Sequence, residues 1–473
     1  MLEAVTASSA TGWVFDENAT EPLTVELRSQ GGVHGRAKAD IYRPDLLAAG
    51  YGNGRCGFEI EIAEQDGLAP DWGSGLFATC LENGITLSNH THDQTRRLSN
   101  RFLNSTINGM PHVDAGRTEG VSRRKAISIV SELEGVAERL EKDDLPDKSL
   151  WTSHSESHDR IITCVKERRW DELADICRRL PMLDAGAGFM QGAAAHRALN
   201  EATQDARSAH MVGVKDALVS LAQMMGLERL ECAEQGAFGQ VLHVDTDRLV
   251  ERLDRHLKVP VVPPDIFEGL YGLQCRSGIL TDRDVQALYA AHRLVRGHFS
   301  GLREEQRNVC EIGAGAGRAA YYSRRLGARS VTLVDLTPML VIQYFTLRAS
   351  LPRSSVAFVT DPDQEMGEFN LVPASMFARL SPRWRFDAVL NCDSFPEMGE
   401  EVCNDYLTAL AGRTPILLSI NQEAMGPLNL DGAGARQVPV SHVMAKRDDY
   451  VRHYRFRTWI RQGYAEEVFS PRT

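Results

Sequence analysis

Five short apolar runs limit what this chain can fold into: "NVCEIG" from Asn308, "SVTLVDL" from Ser330, "SVAFV" from Ser355, "FDAVLNC" from Phe386 and "PILLSIN" from Pro415. Each ends in polar residues, and stretches of helical length separate most of them. Runs of this kind suit strands buried on both faces, and strands alternating with helices build a parallel, doubly wound sheet. Ligands of such a sheet lie at the carboxyl ends of its strands. Glu311, Asp335, Asn391, Asp393, Asn421 and Glu423 all stand at or just past those ends.

The first run passes directly into glycines, as "VCEIGAGAGRAAYY". Gly313, Gly315 and Gly317 alternate, and Arg318 stands where a dinucleotide fingerprint requires its third glycine. The Gly-Lys pair of a phosphate-cradling loop is also missing. What remains is Glu311, three alternating glycines, and Asp335 at the end of the next strand. Glycines let a ligand lie against the backbone, and a strand-end carboxylate accepts from both hydroxyls of a ribose. Together they describe an adenosine-type ligand without a pyrophosphate. The residue that meets its adenine is expected between Thr360 and Met376, where two strand registers are open.

Upstream, three regions differ in texture. Residues 1–88 alternate β-type runs with turns such as "SQGGVHG" and "LENGIT", and read as a small all-β accessory module. Residues 89–121 are polar and unpatterned, a linker. Residues 122–258 carry helical periodicity: Ile127, Val130, Leu133, Ala137 and Leu140 share one face. Such amphipathic helices suit a core or a homo-oligomer interface. "KVPVVPP" closes that region, and Thr281 with Asp284 opens the next helix as a capping box. The last region is 259–473.

A length of 473 residues fits two or three domains, and 43% hydrophobic with 25% charged residues is ordinary for a globular chain. A net charge of −11 with no dense basic block argues against nucleic acid as a partner. Nine scattered cysteines without a C-x-x-C pair fit reduced thiols in a cytoplasm. The amino terminus lacks a basic, apolar leader, and no run is long enough to span a bilayer. The expectation is a cytoplasmic protein.

The set Glu311 to Gly317 plus Asp335 resembles the first two motifs of class I S-adenosylmethionine-dependent methyltransferases, Rossmann-like enzymes. "VLNCDSFPEM", "SINQE" and "RTWIRQGYAEEVF" in order, preceded by "GLYGLQCRSGILTDRDVQALYAAHRL", are similar to the sugar O-methyltransferase family of bacterial polysaccharide gene clusters, over residues 260–473. That resemblance implies methyl transfer from S-adenosylmethionine to a sugar or glycan hydroxyl, the sugar being carried on a nucleotide or a lipid. Gly12, Trp13, Arg43 to Leu46 and Gly57 to Glu59 resemble a β module attached to bacterial glycan-assembly proteins. The expected donor contacts are Glu311, Gly313, Gly315, Gly317, Asp335, Leu336 and Asn391.

A sugar hydroxyl is a poor acid, so the site needs a general base or a divalent metal such as Mg. Asp393 is the leading candidate for either role. Glu397, four residues on, shares its face if "DSFPEM" starts a helix, and Pro396 suits that helix's first turn. Asn391 and Asn421 would orient donor or acceptor. His442 is a second base candidate, beyond a glycine-rich stretch, Glu423 to Gln437, that could close as a lid. Two other enzyme readings and one binding reading stay open: a non-sugar hydroxyl, a carboxylate or amine acceptor, and a glycan-holding scaffold with a retained fold. The spacings His90–His92 and His154–His158 lack supporting ligands for a metal, and Trp13 and Trp72 suit core packing better than sugar stacking.

Overall fold

The computed structural model describes residues 1–5, 9–29, 32–61, 77–87, 111–140, 155–231, 240–297, 307–423 and 437–472. Trp72, His90, His92, His154 and the expected lid between Ala424 and Arg436 lie outside the described residues. The chain divides into two compact units, Met1–Leu103 and Asn104–Glu423 with Asn429–Thr473.

Among its described residues, the first unit is two antiparallel sheets with one short helix, α1 (Pro44–Ala48). One sheet orders β1 (Leu2–Val5), β2 (Ser9–Trp13), β6 (Arg55–Glu61) and β5 (Ile41–Tyr42). The other orders β4 (Gly32–Lys38), β3 (Thr24–Ser29) and β7 (Phe77–Cys80). Strand alternation explains the packing: along β6, Cys56, Phe58 and Ile60 point into the core while Glu59 and Glu61 face water. Trp13 lies against Tyr51 with ring centroids 4.6 Å apart.

The second unit begins with a three-stranded antiparallel sheet, β8 (Ala115–Arg117) on β9 (Tyr271–Cys275) on β10 (Gly278–Leu280). The segment read as a linker therefore contributes a strand at its end. Short polar runs carry no pattern of their own, and β8 forms because β9 offers it a backbone ladder. Between β8 and β9 come α2 (Arg123–Ser131), α3 (Ser155–Lys166), α4 (Trp170–Arg178), α5 (Gly192–Glu201), α6 (Gln204–Met224) and α7 (Thr246–Leu257). Then α8 (Asp282–Arg296) opens on the capping box of Thr281 and Asp284.

From there the doubly wound α/β sheet follows. Its strands are β11 (Asn308–Ile312), β12 (Ser330–Asp335), β13 (Val356–Phe358), β14 (Phe369–Pro373), β15 (Ala388–Cys392), β16 (Leu417–Gln422), β17 (Tyr450–Arg457) and β18 (Tyr464–Pro471). They order β13-β14-β12-β11-β15-β16-β18-β17, with every pair parallel except those made by β18. All five apolar runs form strands. Helices α9 (Arg318–Arg325), α10 (Thr337–Ser350), α11 (Ala374–Phe377), α12 (Phe395–Met398), α13 (Glu400–Leu410) and α14 (Val440–Ala445) alternate with them. One face packs on a core that includes Trp384, Phe386, Phe395 and Leu407. Strand order reverses at β11, between β12 and β15, and the carboxyl ends open there into a crevice. Among the described residues, no helix is long and apolar enough to cross a membrane.

Candidate functional site

Above β11 lies a cavity of about 660 Å³ within the second unit. Glu311, Gly313, Gly315, Asp335 and Leu336 line one end of it. Arg283, Asp393, Glu397, Arg461 and Tyr464 line another part, and Phe189 of the helical region borders the same space.

At the glycine end, Gly313, Gly315 and Gly317 have φ of +72°, +53° and +76°, which only glycine adopts freely. The Gly313 Cα also faces the Ser394 side chain so closely that a Cβ there would collide with its Oγ and Cβ. Gly317 does not line the cavity; it is the residue from which α9 starts. The Asp335 carboxylate accepts from the Leu336 amide at 2.9 Å and from Gln343 Nε2 at 2.7 Å. The same Gln343 Nε2 donates to the Gly315 carbonyl at 3.0 Å. Gln343, fully buried on α10, thus stitches the strand-end acid to the glycine loop. Sequence reasoning passed over it, although a lone amide inside the apolar run "TPMLVIQYFTL" was a signal.

Glu311 is 5% exposed, and among the described residues its Oε2 has no hydrogen-bond partner. Burial, with the Asp335 charge adding to it, pushes its carboxyl up to about 8. An orphaned buried carboxyl oxygen is costly to leave unmet, and this one borders an open cavity.

At the other end, Asp393 sits just before α12 with φ +68°, outside the helix. Its Oδ2 accepts from Arg283 Nη1 at 3.3 Å and from Arg461 Nη1. Arg461 stacks on the Tyr464 ring, 3.7 Å from its centroid. Arg283 is further anchored by donating from Nη2 to the Gly188 carbonyl at 2.6 Å. Glu397, one turn on, lines the cavity, and none of the described residues hydrogen-bonds its carboxyl. Burial first and the Asp393 charge second push it up to about 7, against the pull of Arg283 and Arg461.

Besides Gly317, three sequence expectations need correction. Asn391 is fully buried and does not line the cavity. Its Nδ2 donates to the Ile312 carbonyl at 3.1 Å and to Ser394 Oγ at 2.6 Å, and its Oδ1 accepts from the Phe395 amide and Asn421 Nδ2. Asn391 and Asn421 therefore fasten β11, β15 and β16 together beneath the site, because strand ends also need their own backbone groups satisfied. His442 is exposed on α14 and does not border the cavity. As a metal ligand, Asp393 is already engaged by two guanidinium groups, whose positive charge opposes a divalent cation. Among the described residues, no three His, Cys, Asp or Glu side chains gather as a ligand set.

The open register is also settled: β14 runs parallel to β12 with Pro373 opposite Asp335. That pairing brings Ala374 and Ser375 to the cavity wall beside Leu336.

No protein-family model matches this sequence, and no curated protein matches it either. Solved structures similar to it include the magnesium protoporphyrin IX methyltransferase of Synechocystis PCC 6803, at 16% identity over 41% of this chain and 82% of that one, TM-score 0.28. Another is the 1,6-didemethyltoxoflavin-N1-methyltransferase of Burkholderia thailandensis, at 18% over 40% and 79%, TM-score 0.29. A third is the ribosomal protein L11 methylase of Lactobacillus delbrueckii subsp. bulgaricus, at 13% over 40% and 78%, TM-score 0.26. With scores this low, the chemistry has to be argued from the site.

Proposed function

We propose that this chain is an S-adenosylmethionine-dependent O-methyltransferase acting on a sugar hydroxyl. The observation that carries the reading is the unmet Glu311 carboxyl beside a three-glycine loop and Asp335, at the point where strand order reverses. Those residues fit the donor: Glu311 offers an acceptor to its ammonium group, Asp335 to its ribose hydroxyls, and Gly313 and Gly315, at positive φ, present bare backbone to the cavity. Ala374, Ser375 and Leu336 are the wall available to its adenine. S-adenosylmethionine supplies a methyl group on a sulfonium, already activated for transfer. What is left to the protein is alignment, exclusion of water and removal of one proton. Phe189 and Met398 give the cavity apolar wall, and two carboxylates, Asp393 and Glu397, border its polar end.

A sugar acceptor is supported by that polar end, where carboxylates, guanidinium groups and a tyrosine can meet several hydroxyls, and by the sequence resemblance. Calorimetric titration with S-adenosylhomocysteine tests the donor half: micromolar binding is expected, and no binding would leave a scaffold. Transfer of labelled methyl to nucleotide-linked sugars tests the acceptor half. Label recovered as a methyl ether of the sugar supports the reading; label only on a carboxylate, an amine or a non-sugar hydroxyl overturns it.

A further inference from the structure

We infer that Glu397, and not Asp393, takes the proton from the acceptor hydroxyl, while Asp393 is a positioning residue that holds two arginines in the cavity. This rests on the methyl-transfer reading above.

The two carboxylates differ in what surrounds them. Asp393 Oδ2 is shared by Arg283 and Arg461, and among the described residues its buried Oδ1 has no hydrogen-bond partner. Both guanidinium groups hold the same Asp393 oxygen, so that oxygen is committed to them and not open to a substrate hydroxyl. Glu397 borders the cavity and none of the described residues hydrogen-bonds its carboxyl, so a substrate hydroxyl has an open acceptor there. Its proton affinity, near 7 through burial and the Asp393 charge, matches a base working at neutral pH. The other ionisable groups bordering this cavity are Arg283 from α8, Arg318 from α9, Arg379 just past α11, Asp405 and Tyr406 from α13, Arg461 and Tyr464 around the β17–β18 turn, and Glu311, Asp335 and Cys392 at strand ends.

In the step itself, the hydroxyl oxygen bonds to the methyl carbon and gives its proton to Glu397. The electron pair of the broken carbon–sulfur bond stays on sulfur. Glu397, now a neutral acid, returns its proton to water after the product leaves.

Three measurements on the full chain decide the matter. Wild-type protein must first bind S-adenosylhomocysteine and methylate an acceptor; if it does neither, the function proposed above fails, and this inference with it. Given activity, Glu397→Gln should lower kcat by a factor on the order of 10² to 10⁴ with the S-adenosylhomocysteine Kd within a few-fold. Wild-type kcat should fall below pH about 7. Asp393→Asn should keep more turnover than Glu397→Gln and move that acid limb to lower pH, because it removes a negative neighbour and frees both arginines towards Glu397. Near-normal kcat in Glu397→Gln, or an unmoved limb in Asp393→Asn, overturns the assignment while leaving the methyltransferase intact. If Glu397→Gln does not fold, the Asp393→Asn profile decides alone.

Discussion

At the scale of single residues, the donor contact proposed for Glu311 would tie binding to pH. Its carboxyl is raised in the free protein, from the usual 4.5 to about 8, chiefly by burial. A cationic ligand group beside it favours the carboxylate, so binding near pH 7 should release a proton. Calorimetry at pH 7 in two buffers of different ionisation enthalpy reads that proton directly, and affinity should climb with pH until about 8 and then level off. The same shift has a stability sign. A carboxyl whose folded value is raised contributes stability in full below about 4.5, and that contribution is lost as pH rises towards 8. Glu311→Gln should therefore unfold at a higher temperature than wild type at pH 9 while losing donor affinity by about tenfold or more. Gly313 makes a second, separate case. Gly313→Ala and Gly399→Ala both place a side chain at positive φ, +72° and +82°, at a cost of roughly 1–3 kcal/mol each. Only at Gly313 does the new Cβ also strike Ser394, while nothing lies near it at Gly399. Urea unfolding should show a modest loss for Gly399→Ala with donor binding kept, and a larger loss with binding abolished for Gly313→Ala.

Helix α8 shows what an element adds beyond its residues. Thr281 and Asp284 cap it reciprocally, and the other Asp284 oxygen accepts from Arg318 Nη1 on α9, the helix that follows the glycine loop. Arg283 reaches Asp393, while Tyr289 and Arg293 donate to the fully buried Glu466 on β18. One helix thus ties the glycine loop, the acidic turn and the antiparallel edge of the sheet. Asp284→Ala leaves the buried Arg318 guanidinium without that carboxylate and removes half the cap, so unfolding free energy should fall by about 3–5 kcal/mol, read from urea denaturation. The cap was legible because it is local, written into "TDRD". The ion pair was not, since Asp284 and Arg318 are 34 residues apart and meet only through packing. Strands divide the same way. Continuous apolar runs declared β11, β12 and β15, whereas β14 is interrupted by Asn370, whose amide is satisfied at 3.0 Å by Ser330 on a neighbouring strand. Glu311, Asp335, Asp393 and Glu397 could be placed from strand ends and turn spacing. The inward aim of Asn391 could not, because position along a strand does not say which buried backbone group a side chain must satisfy.

For the whole molecule, the question is where the cavity-bearing unit starts. Every described residue lining the cavity belongs to the second unit, and the first unit closes a core of its own around Leu27, Phe58 and Ile60. Composition alone put the boundary of the helical region at Ser122. The structure places β8 at Ala115–Arg117 against β9, with Thr118 Oγ1 accepting from the Leu270 amide at 2.8 Å and Asp265 accepting from the Glu119 and Gly120 amides. A chain that begins at Ser122 would lack all of these. It would leave one edge of β9 with unpaired backbone groups, an invitation to aggregation. A chain that begins at Asn104 would keep them. The two truncations should therefore part company: the form starting at Asn104 is expected to bind S-adenosylhomocysteine within about threefold of the full chain and to stay monodisperse in size-exclusion chromatography. The form starting at Ser122 is expected to lose several degrees of thermal stability and to aggregate. Equal behaviour of the two would mean that β8 is an ornament on β9, and that the cavity-bearing unit starts where the helical periodicity does.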